Sequence, residues 1–190
     1  MDYYSRLISE SLRFRRADVA DVQAVAAILK AAARRMLAEG KQQWDESYPT
    51  ETHVRADVEN GVGYVLERDG AVVGYAAVVF TGEPAYDDLY GQWLSDERYV
   101  VVHRVAVAQD GQRKGLGRAL MTAVEDYARS LGIRSFRIDT NYNNYAMLGL
   151  LEKLGFAYCG EVRYDRGSRK AFEKLLSPVQ DDFTENKFFE

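Results

Sequence analysis

Cysteine occurs once in this chain of 190 residues, at Cys159, so no internal disulfide can close and no CxxC or Cys/His metal spacing can be assembled. A reducing, cytoplasmic setting is the expectation that follows. Long apolar runs are also missing. The longest, Ala71 to Phe80, is about half of the ~20 residues that a bilayer-spanning helix needs, and Met1 to Phe14 has no apolar core of signal-peptide length. No membrane association is expected. Positive charge is not in excess either. Lys and Arg number 25 against 29 Asp and Glu, a net charge of −4, which argues against a nucleic-acid surface.

What is present is enough apolar material for one full core. With 47% hydrophobic residues the chain reads as a single domain over 1–176, followed by an acidic and aromatic tail, 177–190. That tail is expected to fray or to dock on a second subunit, which leaves a homodimer open.

Leu12 and Phe14 alternate with arginines as a short strand, and Asp18 stands where a helix N-cap belongs. Val22, Val25, Ala26, Leu29, Ala32, Ala33 and Met36 recur at helical spacing up to Gly40, and His53 to Asn60 reads as a second helix. Tyr64 to Glu67 and Ala71 to Phe80 flank Asp69-Gly70, a hairpin signal. Residues 81–98 form an acidic, aromatic insertion. Tyr99 to Ala108 is nearly all Val and Ala, as a strand buried on both faces should be. Leu116, Leu120, Val124, Tyr127 and Leu131 then line one helical face, and Ile133 to Asp139 is the next strand. That order implies a right-handed crossover and a parallel pair. A helix from about Asn144 to Leu154 and strands near Phe156 to Arg163 and Arg169 to Leu176 complete a mixed α/β sheet.

In Gln112-Arg113-Lys114-Gly115-Leu116-Gly117 two glycines open an amphipathic helix, where unpaired N–H groups and the helix dipole favour an anion. Glycine lets a diphosphate approach the backbone, and Arg113, Lys114 and Arg118 add charge. A dinucleotide fingerprint needs a small residue where Leu120 stands. A P-loop needs Gly-Lys-Ser/Thr, whereas Lys114 precedes Gly115.

His103-Arg104-Val105-Ala106-Val107, then Gln112 to Gly117, then Asp139-Thr140-Asn141 and Asn144, then Leu151-Glu152-Lys153-Leu154-Gly155-Phe156 resemble the successive motifs of the GNAT acetyltransferase superfamily over roughly residues 12–176. The resemblance implies a mostly antiparallel sheet with a parallel pair splayed at the cofactor site and helices on its flanks. It also implies acetyl-CoA as the bound group, with pantetheine on the backbone of Val105, Ala106 and Val107. Pyrophosphate would sit on Gln112, Arg113, Lys114, Gly115, Leu116, Gly117 and Arg118, with Asn144 near the thiol. Relatives often carry a tyrosine where Leu151 stands, a residue held to protonate the leaving thiolate.

An alkyl amine is almost wholly protonated at pH 7, so acetyl transfer to it needs a base, and histidine is the side chain tuned for that range. His103 shares a period-two face with Val101, Val105 and Val107 and resembles a catalytic histidine of the arylalkylamine branch; a half-buried structural histidine is the competing reading. His103 and Asn144 are therefore the catalytic candidates. His53 is expected to be solvated, and Cys159 to be core. Trp44, Tyr48, Tyr86, Trp93 and Tyr99, beside Asp87, Asp88, Asp96 and Glu97, could receive a cation, or could simply pack the insertion. The function expected is transfer of acetyl directly to a small cationic or amino-acid-like primary amine, with a protein N-terminus or lysine as the alternative acceptor. A non-catalytic acyl-CoA sensor is the reading from another class.

Overall fold

Each strand of the sheet begins or ends where the chain has a reason to turn. A computed structural model describes residues 12–41, 43–109, 115–165 and 167–178. Strand β1 (Leu12–Arg16) leads through a 3-10 turn into helix α1 (Val22–Ala38). Asp18 accepts from Ala20 N, and Asp21 reciprocates to the Asp18 backbone, so the expected cap forms one turn early. Helix α2 (Glu51–Glu59) starts on Thr50. His53, expected to be solvated, is of intermediate exposure, and its Nδ1 closes a capping box with Thr50 N and Oγ1. Strands β2 (Gly63–Arg68) and β3 (Ala71–Val79) meet at Asp69 and Gly70, both with positive φ, as the hairpin signal requires. A two-residue strand β4 (Tyr90–Gly91) lies inside the insertion, and β5 (Tyr99–Val107) follows. Helix α3 (Leu116–Ser130), β6 (Ser135–Thr140), α4 (Tyr145–Lys153), β7 (Ala157–Tyr164) and β8 (Gly167–Leu175) complete the order.

The eight strands run β1-β2-β3-β5-β6-β8-β7-β4, with β5 and β6 parallel and the other paired neighbours antiparallel. The parallel pairing covers only Tyr99, Val100 and Val101 against Ser135, Phe136 and Arg137. From Val102 onward β5 keeps a strand partner on the β3 side alone, so the two strands part and leave an open edge on each.

One face of the sheet is covered by α3 and α4. Leu116, Leu120, Met121, Val124 and Ala128 of α3 and Leu151 of α4 pack on Val100, Val102, Phe136 and Ile138. Leu131, expected on that apolar face, is half exposed, because the helix ends there. The other face is covered in two parts. Helices α1 and α2 lie on β2, β3 and the end of β5 through Val25, Leu29, Val54, Val65, Tyr75 and Ala106.

The insertion covers the remainder as a strap. It leaves β3, places β4 on the far edge beside β7, and returns to β5, with β6, β8 and β7 lying between. Gly91 and Gly160 permit that edge contact: a Cβ at Gly91 would sit 2.1 Å from the Cys159 carbonyl oxygen, and one at Gly160 2.3 Å from that of Tyr90. Buried Glu173 of β8 pins the strap, accepting from Leu94 N at 2.5 Å and from Ser95 Oγ at 2.9 Å. Among the described residues no helix is long and apolar enough to cross a membrane.

Candidate active site

The gap opened by the parting strands is a cleft that runs through the sheet. Val102 and Val105 of β5, Ile138 of β6 and Met147 of α4 line its α3 side, and His103, Asp139 and Arg169 line its strap side, with Trp44 and Tyr48 at the wall. Such a mixture of faces needs a break in alternation. Ala77 pairs with His103 and Tyr75 with Ala106, so β5 carries one residue more than β3, and Arg104 takes φ +55° at this bulge. The expectation that His103 shares a face with Val105 and Val107 is corrected here. His103 stays with Val101 on the strap face, while Val105 and Val107 turn to pack with the α3 core.

Arg104 is held in this unusual conformation by its side chain. Its guanidinium donates to both oxygens of Asp57, at 2.8 and 2.5 Å, and to Tyr48 Oη at 3.0 Å. Tyr75 donates to Asp57 Oδ2 at 2.6 Å. Burial, with the Asp57 charge beside it, pushes the Tyr75 phenol far above its ordinary range.

His103 is about a fifth exposed, and its Nε2 lies 2.9 Å from Glu83 Oε2. Glu83, on the strap, is a residue that sequence reasoning missed; its only signal was to be an acid in the insertion. The hydrogen bond to His103 is the chief cause that holds the Glu83 carboxyl below its usual range, against the opposing effect of burial. Asp139 of β6 is fully engaged: Oδ2 accepts from Tyr86 at 3.0 Å and Tyr164 at 2.9 Å, and Oδ1 accepts from Arg169 at 3.2 Å.

Of the aromatic residues expected to touch substrate, Trp44 and Tyr48 line the cleft and Tyr86, Trp93 and Tyr99 do not. Tyr86 stacks on Tyr99 and meets Trp93 at a tilt, and the Arg137 guanidinium lies 4.3 Å from the Trp93 ring and 4.1 Å from that of Tyr99. The cation their faces receive is the protein's own. Asp87, Asp88, Asp96 and Glu97 are exposed, and none lines the cleft.

Asn144 is the N-cap of α4. Its Oδ1 accepts from Met147 N, and its Nδ2 donates to Thr140 Oγ1 at 3.1 Å and to Gln43 Oε1 at 3.4 Å. Cys159 is buried, and burial raises its thiol, as a core cysteine requires. Gln112, Arg113 and Lys114, expected to hold the pyrophosphate, lie outside the described residues. Gly115 caps α3 with φ +80°, and among the described residues a Cβ there would meet nothing within 4 Å. Gly117 faces Leu150 of α4, and Arg118 donates to the Lys153 carbonyl at the end of that helix. Among the described residues no group of three or more His, Cys, Asp and Glu could hold a metal ion.

Comparison with known proteins bears on the same region. The L-amino acid N-acyltransferase MnaT of Escherichia coli is 34% identical over 100 residues, 52% of this chain and 51% of its own length. The L-methionine sulfoximine/L-methionine sulfone acetyltransferase of Salmonella typhimurium is 33% identical over 100 residues, 52% of each chain. The chain thus spans about half the length of the curated relatives it matches. The structure of yncA from Salmonella typhimurium, solved with its cofactor acetyl-CoA, shares the fold at a TM-score of 0.62 and 23% identity, covering 88% of this chain and 95% of that one. A GNAT-family acetyltransferase of Streptococcus agalactiae superposes with a TM-score of 0.80 at 31% identity, covering 87% of this chain and 96% of the other. With the acetyltransferase (GNAT) family profile matching residues 25–156 as well, kinship is settled: this chain belongs to the GNAT acetyltransferase family.

Proposed function

We propose that this chain is an acetyl-CoA-dependent N-acetyltransferase acting directly on the primary amine of a small, amino-acid-like molecule. The observation that carries the reading is His103, set in the wall of the cleft where β5 and β6 part, with Glu83 on its Nε2. The site fits the cofactor. The open edge of β5 from Val102 offers backbone to the pantetheine amides, and the opening of α3 at Gly115 offers N–H groups to its diphosphate. Leu116, Gly117 and Arg118 open that helix, and Gln112, Arg113 and Lys114 precede it in the sequence. Acetyl-CoA, when bound, supplies the thioester carbonyl that an amine attacks.

The residues of the chain prepare that amine. Near pH 7 it arrives as an ammonium ion and must lose a proton before its nitrogen can attack. With Nε2–H donated to Glu83, the lone pair of the imidazole lies on Nδ1, which takes the proton directly or through water. Glu83 then faces an imidazolium, so its charge offsets the one that forms. A backbone N–H near Val105 is the candidate donor for the oxyanion. The relatives named for L-amino acids and for L-methionine sulfone support a small acceptor, and a buried free thiol at Cys159 accords with a reducing cytoplasm.

The test is release of coenzyme A with panels of small amines, amino acids and peptides. Turnover with small acceptors supports the proposal. Turnover confined to peptides would move the acceptor to protein, and none at all, with the cofactor bound, would make the domain a sensor.

A further inference from the structure

Arg169 stands apart among the charged groups of the cleft because its hydrogen bonding is incomplete. Arg104 commits its guanidinium to Asp57 and Tyr48. Asp139 has one oxygen taken by two tyrosines and its side chain is 2% exposed. His103 is paired with Glu83. Arg169, on β8, is 22% exposed, lies over the Tyr164 ring, and makes one hydrogen bond to a described residue, a single contact of 3.2 Å to Asp139. A guanidinium carries five N–H donors in a rigid fork, so one long bond leaves most of that fork without a hydrogen-bond partner among the described residues, on a side chain that lines the cleft. The arrangement is that of a held cation with capacity to spare: Asp139 bonds it at one nitrogen, and the Tyr164 ring lies 4.8 Å from its centre.

We propose that Arg169 receives the carboxylate of the acceptor, and that the substrate is therefore an α-amino acid rather than a simple amine. This rests on the acetyltransferase reading of the cleft. His103 lies on β5 and Arg169 on β8, and both reach into one space with Glu83 beside each: bonded to His103 and within electrostatic range of Arg169. An amine and a carboxylate on one carbon are presented together, so a base and a guanidinium lining one small cleft match both ends of a zwitterion. A fork against a carboxylate also gives geometric selection that a point charge lacks. The exposed acids of the insertion do not line the cleft, whereas Arg169 does, and Arg104 has already committed its own donors to Asp57 and Tyr48.

The experiment compares each protein amino acid, and L-methionine sulfone, with its own α-amide, following coenzyme A release by wild type, Arg169→Met and Arg169→Lys. Wild type is expected to prefer the acid over its amide by roughly a hundredfold in kcat/KM, the loss that unpairing a specific polar contact brings. Arg169→Met should raise KM for the acid at least about tenfold with kcat little changed, and leave kcat/KM for the amide within about twofold. Arg169→Lys keeps the charge beside Asp139 and guards against misfolding; it should recover part of the preference. If acids and amides are acetylated equally by wild type, the carboxylate role is overturned and the acetyltransferase reading stands. If Arg169→Met costs acid and amide alike while Arg169→Lys restores both, Arg169 supports the cleft only. If no acceptor releases coenzyme A, both readings fall.

Discussion

At the scale of single residues, the pair Glu83 and His103 makes a prediction about pH that a merely structural pair would not. Replacing His103 by Gln is expected to lower kcat/KM by roughly 10²–10⁴ and to remove the acidic limb of its pH profile, with coenzyme A affinity near wild type by calorimetry. Glu83→Gln removes the carboxylate that offsets the charge formed on the ring, so kcat/KM should fall by roughly tenfold or more, and an unchanged value would show that Glu83 serves the strap alone. Leu151 carries a separate expectation. It is completely buried against the sheet, so Leu151→Tyr should overpack the core at a cost of about 1–3 kcal/mol in denaturant unfolding and should not speed turnover. Tyr142 and Tyr145 are 43% and 74% exposed, and their Phe variants should hold kcat within about threefold, under ~1 kcal/mol of barrier. A hundredfold loss in either would identify a proton donor to the departing sulfur.

At the scale of elements, what was legible and what was not divides along a physical line. The β5, α3, β6 unit could be read because a Val and Ala run, a glycine-opened helix and a second apolar run each announce themselves locally. The bulge in β5 has no such signal, since the residue in the left-handed region is an arginine stabilised by Asp57, 47 positions away. Missing it put Val105 and Val107 on the wrong face. Glu83 was hidden for the same reason: its partner lies 20 positions on, across a strap without periodicity. The Arg104 pair should be costly to break. Arg104→Met leaves the Asp57 carboxylate buried beside Tyr75 and is expected to lose about 3–5 kcal/mol of stability, while adding Asp57→Leu should return much of it. A double-mutant cycle by chemical denaturation reads that coupling directly. Additive losses would mean that the bulge persists without the pair.

At the scale of the molecule, the sheet is two half-sheets joined by three parallel residue pairs. A cofactor seated in the opening beyond that seam would touch both halves, so it should stabilise the fold as a whole. At a hundred times its Kd, coenzyme A is expected to add about 2.7 kcal/mol, a rise of roughly 5–10 °C in Tm at this chain length, unaffected by a chelator. No rise at millimolar coenzyme A would count against the proposed site. The strap gives the two halves a further relation. Residues before α3 build β1, β2, β3 and β5, yet they also supply β4, which closes the far edge of the sheet built by residues after it. If the chain were expressed as two pieces divided between residues 109 and 115, the first would reach across the second and clasp its outer strand, with Glu173 gripping Leu94 and Ser95. Such fragments are expected to find each other and restore coenzyme A release. Gly91→Val, which places a side chain against the Cys159 carbonyl, should stop them from reassembling long before it unfolds the unbroken protein, because only the severed halves depend on that clasp to meet.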